Sequence, residues 1–251
     1  RFFMQNDFIG IILAAGRGSR MLNETKSKPK CMTKFSKTST LLEKQINSLR
    51  LSGIKKIYII TGYKHAQIIN KNITKILNRE WKTSNMIFSL LKAKKLLLNK
   101  NCIISYSDIL YDHKVIIKMI NNFKKNILIS YDNNWKKLWN KRFIDPLSDA
   151  ESFRIDKQSN VLNIGEKEEN IKKIQGQFMG LIKTNPSDWK KISKYLKKLN
   201  PKKIKKLQST QLLNDLIKNK VTKIKGIKNI GRWCEVDSQS DLKIAKQIFN
   251  K

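Results

Sequence analysis

The stretch Ile11-Ile-Leu-Ala-Ala-Gly-Arg-Gly-Ser-Arg20, followed eight residues later by Lys28-Pro-Lys30, decides how this chain is read. An apolar run breaks into a glycine-rich turn that carries an arginine and is soon joined by a lysine. Gly16 and Gly18 leave the backbone unshielded by side chains, so a ligand can approach it closely. Successive N–H groups in such a turn form an anion-binding concavity, and Arg20 and Lys30 add full positive charge beside it. The pattern selects a polyphosphate. It lacks both the Gly-Lys-Ser/Thr ending of a P-loop and the third glycine of a dinucleotide fingerprint.

Outward from this turn, short apolar runs alternate with helical stripes. Strands are predicted at Phe8–Leu13, Lys56–Thr61, Cys102–Tyr106 and Ile127–Tyr131. Between them, Leu42, Ile46 and Leu49 form one stripe, and Met86, Leu90, Ala93 and Leu97 a second. Val115, Ile116, Met119, Ile120 and Phe123 form a third. This alternation predicts βαβ units and a mainly parallel sheet covered on both faces. Ligands of such sheets bind beyond the carboxyl ends of the strands, where the glycine turn and Asp108 both fall. Residues 132–185 are less regular, and helical periodicity returns at Trp189, Ile192, Leu196 and Leu199, at Leu212 to Ile217, and at Leu242 to Phe249. No internal repeat or linker divides the chain. We expect one domain over 1–251, with nucleotide-binding elements over about 8–130 and an acceptor-binding insertion over about 131–185.

The 251 residues are 40% hydrophobic and carry a net charge of +34, with 53 basic and 19 acidic side chains. Eight of the basic residues are arginines and 45 are lysines, spread along the chain among many asparagines and isoleucines. We read this as compositional bias solvated on helix faces, with no specific nucleic-acid partner, since net charge reports non-specific attraction and not chemistry. The densest run, Pro201-Lys-Lys-Ile-Lys-Lys-Leu207, is predicted to be an exposed helical face. Cys31, Cys102 and Cys234 are far apart and form no Cys-x-x-Cys pair. Neither a zinc site nor a disulfide framework is expected, which fits a reducing cytoplasm. No apolar stretch approaches the ~18 residues of a membrane span. Phe8 to Ala15 imitates a short signal-peptide core, but Asp7 stands where a positive flank belongs, so export is not expected; Met4 is the expected start.

Two aspartates are candidates for chemistry. Asp108, in Ser105-Tyr-Ser-Asp108, ends an apolar strand, where it either caps the turn or holds Mg²⁺ together with substrate phosphates. Asp237 precedes Ser238-x-x-Asp241, a capping-box pattern, so it either supports that helix start or serves as a second metal ligand.

Several ordered motifs together carry a resemblance. They are Leu13-Ala-Ala-Gly-x-Gly-x-Arg20, Pro29-Lys30, Gly62-Tyr63, Ser84-Asn85-Met86, Tyr106-Ser-Asp108 and Trp233-x-Glu-Val-Asp237. With these, the chain resembles the nucleotidyltransferase superfamily with the sugar-nucleotide pyrophosphorylase fold, from near residue 8 to 249. Three further segments make it similar to bacterial phosphocholine cytidylyltransferases and relatives acting on phosphoglutamine or phosphonates. These are Thr83-Ser-Asn-Met-Ile-Phe-Ser-Leu90, Trp139-x-x-Arg-Phe-x-Asp-Pro-Leu-Ser-Asp-Ala-Glu151 and Gly176-Gln-Phe-Met-Gly-Leu181. Met21 departs from the usual leucine, and Ser107 from the glycine common before the metal aspartate.

The resemblance implies a three-layer α/β/α Rossmann-like fold and an enzyme that moves CMP from CTP to a small phosphate or phosphonate acceptor. It implies that Leu13, Ala14, Ala15 and Gly16 contact the base and ribose, while Gly18, Ser19 and Arg20 wrap the triphosphate. Ser84 and Asn85 would meet the base edge, and Ser107 would lie beside the ribose. Asp108 and Asp237 would share Mg²⁺, and Lys30 would hold the α-phosphate and acceptor oxygens. Trp135 and Trp139 either offer faces to a quaternary ammonium or pack in the core. Asp145, Asp149 and Glu151 either hold a substrate amine or form an acidic loop with which Arg142 pairs, and Gln177 is a candidate polar contact. A sugar-1-phosphate nucleotidyltransferase using UTP or dTTP, and a basic nucleic-acid-binding protein on an inactive nucleotide fold, are the competing readings. A homodimer stays open.

Overall fold

A computed structural model describes residues 8–18, 21, 25–122 and 126–250. Phe123, Ser19 and Arg20 lie outside the described residues. The chain begins its sheet with β1 (Phe8–Ala14), which is buried along its whole length. Its side chains alternate between two cores, as the period of two in a strand requires. Phe8, Ile12 and Ala14 join one, while Ile9, Ile11 and Leu13 join the other. Apolar on both faces, this strand fits only the inside of a sheet covered on both sides.

The elements follow in chain order: α1 (Leu41–Leu51), β2 (Lys56–Thr61), β3 (Thr74–Leu77), α2 (Met86–Leu91) and α3 (Lys94–Leu97). Next come β4 (Asn101–Tyr106), β5 (Ile109–Tyr111), α4 (His113–Asn121), β6 (Ile127–Asp132) and α5 (Trp135–Arg142). The hairpin β7 (Glu151–Ile155) and β8 (Val161–Lys167) precedes β9 (Gln177–Thr184), α6 (Pro186–Leu196), α7 (Pro201–Lys206) and α8 (Ser209–Lys218). The last elements are β10 (Ile224–Lys228), β11 (Trp233–Glu235) and α9 (Gln239–Phe249).

Seven strands form the central sheet in the order β10-β6-β9-β4-β1-β2-β3. All neighbours are parallel except β9, which runs antiparallel between β4 and β6 and places Ile182 beside Ile104 and Ile129. One core gathers Leu42, Ile46 and Leu49 of α1, Val115 and Met119 of α4, Trp135 of α5 and Leu242 of α9. The other gathers Ile87 of α2, Trp189 and Ile192 of α6 and Leu212 and Leu216 of α8. The result is the expected three-layer α/β/α sandwich around a mainly parallel, mixed sheet.

The stripe Met86–Leu97 is one helix in the sequence reading but two in the structure. Ala93, at φ −95° and ψ 16°, interrupts it, although Leu90, Ala93 and Leu97 still face the same core. The three cysteines are buried free thiols, and burial pushes each up to about 12. No helix among the described residues is long and apolar enough to cross a membrane.

Candidate active site

The parallel register of β1 and β4 sets Leu13 beside Tyr106, so the glycine turn and Asp108 leave the sheet at one edge. The end of β2 braces the turn: Tyr63 N donates to Ala15 O at 2.9 Å. A Cβ on Gly62 would meet Trp81 Cβ at 2.4 Å and Ala15 O at 2.6 Å, so only glycine lets the strand end lie this close. Gly18 has φ +71°, and a Cβ there would come within 2.8 Å of Lys30 Cβ. The turn therefore rests its backbone on the stem of Lys30.

A pocket of about 140 Å³ opens beside the turn. Leu13, Ala15, Gly16, Gly18, Ser84, Asn85 and Ser107 line it, with Lys30, Trp81, Met86, Ser89 and Asp108. Ala14 is turned into the core instead. Ser84 and Asn85 also have structural partners. Ser84 Oγ donates to Glu80 O and accepts from Asn78, whereas Asn85 Oδ1 caps α2 and its Nδ2 donates to Lys206 O. Trp81 had no part in the sequence reading; its place against Gly62 is set only by the fold.

Lys30 sits on a short 3₁₀ turn, Lys30–Met32, and is 6% exposed. Its Nζ donates to Asp108 Oδ2 at 2.9 Å and to Asp237 Oδ1. Burial alone would lower the lysine pKa, but the two carboxylates outweigh it and raise it. The aspartates meet because β5 and β11 pair antiparallel, with Glu235 opposite Ile109 and Val236 N donating to Asp108 O at 2.8 Å. Asp108 thus hangs just before one strand of a two-stranded ribbon and Asp237 just after the other.

Arg142, the last residue of α5, grips the far side of this cluster. Nη1 donates to Glu235 Oε2 at 2.9 Å, Nη2 to Asp237 Oδ2 at 3.3 Å and Nε to Asp241 Oδ1 at 2.9 Å. Its side chain is fully buried, and the expected pairing with Asp145, Asp149 or Glu151 is corrected: the partners come from β11, from α9 and from the link between them. Ser238 and Asp241 form the predicted capping box of α9, and Asp241 Oδ2 also accepts from Asp237 N. The Asp237 side chain takes no part in that cap and faces Lys30 and Arg142.

One carboxylate oxygen from each of Asp108, Glu235 and Asp237 lies within 4.8 Å of the others. Asp108 Oδ1 is buried with no hydrogen-bond partner among the described residues. A set of hard oxygen donors with one unmatched acceptor suits a divalent cation such as Mg²⁺. Burial, together with Asp237 and Asp108, pushes the Glu235 carboxyl up to about 8 against Arg142 and Lys30. Glu235 belongs to the motif Trp233-x-Glu-Val-Asp237, but its neighbourhood to Asp108 follows only from the β5–β11 pairing.

A second pocket of about 230 Å³ shares Asp108 and Met86 with the first, and Tyr106, Trp139, Asp149, Glu151, Gln177, Phe178, Gln208, Thr210 and Glu235 complete it. Burial and the nearby Asp149 raise the Glu151 carboxyl pKa. Gln177 ties β9 to β7, its Nε2 donating to Glu151 O at 2.6 Å and its Oε1 accepting from Glu151 N. Two expected acceptor residues are elsewhere. Trp135 is 1% exposed in the core, with Nε1 donating to Ile174 O, because spacing of four fixes a common face but not what that face meets. Asp145 is exposed and caps the 3₁₀ turn Pro146–Ser148. Trp139 is also in the core, packed on Trp135 and Trp233, and presents one side to the pocket.

Residues 10–160 match the MobA-like NTP transferase domain family. The chain is 31% identical to the CTP:phosphoglutamine cytidylyltransferase of Campylobacter jejuni, over 93% of this chain and 97% of that protein. It is 28% identical to the bifunctional protein GlmU of Methanococcus aeolicus, over 92% of this chain and 52% of that longer protein. In fold it is similar to the CTP:phosphocholine cytidylyltransferase of Streptococcus pneumoniae, with TM-score 0.69, 19% identity, and coverage of 96% of this chain and 99% of that one. A haloacid dehalogenase-like hydrolase family also matches, over residues 96–241. That span omits the glycine turn and Lys30, which meets both aspartates, whereas the likeness to the Campylobacter jejuni relative extends over 93% of this chain. The chain belongs to the MobA-like NTP transferases and is a nucleotidyltransferase.

Proposed function

We propose that this enzyme transfers CMP from CTP to a small phosphate or phosphonate acceptor and releases pyrophosphate. The observation that carries the reading is the meeting of Lys30, Asp108 and Asp237 where two pockets join. One pocket is lined by the glycine turn and takes the nucleotide. The other is lined by acids and aromatic rings and takes the acceptor. The preference for CTP draws on the likeness to the Campylobacter jejuni enzyme.

Each residue then has a task. Gly16 and Gly18 present backbone to the triphosphate, and Ser19 and Arg20 wrap it, with Arg20 offsetting charge on the departing pyrophosphate. Leu13, Ala15 and Ser107 flank the nucleoside, with Ser84 and Asn85 at the base edge. Lys30 Nζ neutralises α-phosphate and acceptor oxygens as they approach. Asp108 and Asp237, with Glu235 beside them, would hold Mg²⁺. When bound, such an ion offsets negative charge on the reacting phosphate. The acceptor oxygen is already ionised near neutral pH, so no general base is required. Positioning and charge neutralisation carry most of the barrier reduction in such transfers. Asp149 and Glu151, in a chain poor in acid, favour an acceptor with an amine or ammonium, and Trp139 offers it an aromatic side.

Pyrophosphate release should be measured for each of four nucleoside triphosphates against phosphocholine, 2-aminoethylphosphonate, phosphoglutamine and glucose-1-phosphate. CTP with an amine-bearing acceptor is expected to turn over fastest. Preferential use of UTP or dTTP with glucose-1-phosphate would replace this reading by a sugar-1-phosphate nucleotidyltransferase.

A further inference from the structure

Among the described residues, two cations pair with the carboxylate cluster, and they are held differently. Arg142 is fully buried at the end of α5 and donates to three separate acids, so any movement would break all three bonds. Lys30 stands on a single 3₁₀ turn, and its stem passes along Gly18 into the nucleotide pocket. A lysine is a point charge on a flexible four-carbon chain, able to swing between partners without rebuilding its surroundings. Its ammonium now bonds Asp108 Oδ2 and Asp237 Oδ1, two of the acids whose oxygens lie within 4.8 Å of one another. In so small a space, an ammonium and a divalent cation on the same carboxylates repel strongly.

We propose that Lys30 is an internal counter-ion occupying the divalent-cation site, and that it must be drawn onto the nucleotide's phosphates before Asp108 and Asp237 can take the cation. Nucleotide entry then opens the cation site, and the cation alone binds poorly. The same side chain serves both states: it offsets the facing charges of Asp108 and Asp237, and it becomes a phosphate ligand when they are released. Arg142 remains in place throughout and keeps Glu235 and Asp237 aimed inward. This inference rests on the reading that the acidic cluster holds a divalent cation.

Mn²⁺ is the probe, followed by electron paramagnetic resonance and by water-proton relaxation, which separates enzyme-bound from CTP-bound ion. Without nucleotide, the wild-type protein is expected to bind Mn²⁺ no tighter than millimolar, and to bind it much more tightly with CTP. Lys30→Gln should bind Mn²⁺ without nucleotide at least tenfold more tightly than wild type. Its melting temperature should rise with Mn²⁺ where that of wild type does not, and adding Asp108→Asn should cancel both effects. Equal affinity of Lys30→Gln and wild type without nucleotide overturns the exchange while leaving the cation reading intact. No binding by either protein, with or without CTP, overturns both. Should Lys30→Gln not fold, the wild-type titration decides alone: micromolar binding without nucleotide overturns the proposal, and binding that requires CTP supports it.

Discussion

Arg142 and Asp237 are joined by a bond of 3.3 Å from Nη2 to Oδ2, while the other oxygen of that carboxylate accepts from Lys30. One aspartate is thus shared between cations that lie on either side of it in space and 112 residues apart in sequence. Removing a partner from a buried ion pair leaves an uncompensated charge and costs about 3–5 kcal/mol. Arg142→Met is therefore expected to lower stability by about that amount in urea unfolding. Arg142→Lys should lose less stability but much of the turnover, since an ammonium cannot grip three acids with a planar fork.

Ser238 and Asp237 are neighbours with separable roles. Ser238→Ala removes a helix cap and should cost about 0.5–2 kcal/mol while turnover stays close to wild type. Asp237→Asn and Asp108→Asn each should reduce turnover by at least a hundredfold, because each weakens an oxygen ligand for a hard cation. Melting and turnover measured on the same samples separate the two effects. Near-normal activity of either aspartate variant at low Mg²⁺ would remove it from the site.

At Gly18 the backbone conformation and the space both exclude a side chain. Gly18→Ala is expected to displace Lys30 and raise the KM for CTP at least tenfold, with lower kcat. Gly16 has open space around it. Gly16→Ala should fold normally and impair only nucleotide binding. Arg20→Lys should also reduce turnover, since lysine lacks the fork that holds two phosphate oxygens. Steady-state kinetics with varied CTP check all three.

Acceptor choice is expected to reside in the second pocket. Glu151→Gln, Asp149→Asn and Trp139→Phe each should raise the acceptor KM several-fold or more and leave the KM for CTP within about twofold. A site built around a charge rejects ligands that lack its partner. If only uncharged sugar phosphates are used, these acids do not select the acceptor.

Lys183 is fully buried on β9, and burial lowers its pKa to about 8 although Asp188 opposes the shift. In the unfolded chain the same group titrates near its ordinary value of 10.5. Between those values the unfolded state binds more protons than the native one, so stability rises as pH rises through that window. Urea unfolding at pH 7.5 and pH 10 should show a gain of about 2 kcal/mol from this group. Lys183→Met should abolish that gain; an unchanged pH dependence would show that the lysine is not the source.

Strands β1, β2, β4 and β6 were legible because they are short, mostly apolar and bounded by polar turns, whereas β9, buried between β4 and β6, lies in the less regular stretch that gave no strand boundaries. Phe8, Ile12 and Leu13 can only belong inside a covered sheet. The glycine turn and the two aspartates were legible as residue types, and Glu235 lies within the motif Trp233-x-Glu-Val-Asp237. What stayed hidden depends on pairing between distant segments. Arg142 was placed with the acids nearest to it in sequence, but α5 ends over β11 and α9, which lie far along the chain. Trp135 shows the limit of periodicity: it establishes that two side chains share a face, and the fold alone decides whether that face meets a ligand or the core. Trp81 carries no periodic or motif signal, since its position follows from the approach of Gly62.

The lysine-rich segment α7 lies against the nucleotide pocket in an unexpected way. Asn85, at the pocket wall, donates from its backbone N–H to Lys205 O and from Nδ2 to Lys206 O. Both acceptors are main-chain carbonyls, which every amino acid supplies equally. Among these bonds, then, nothing requires lysine at either position, and substitutions that preserve the helix preserve the support. The side chains along this wall can therefore differ in charge and length while the atoms that Asn85 needs stay where they are.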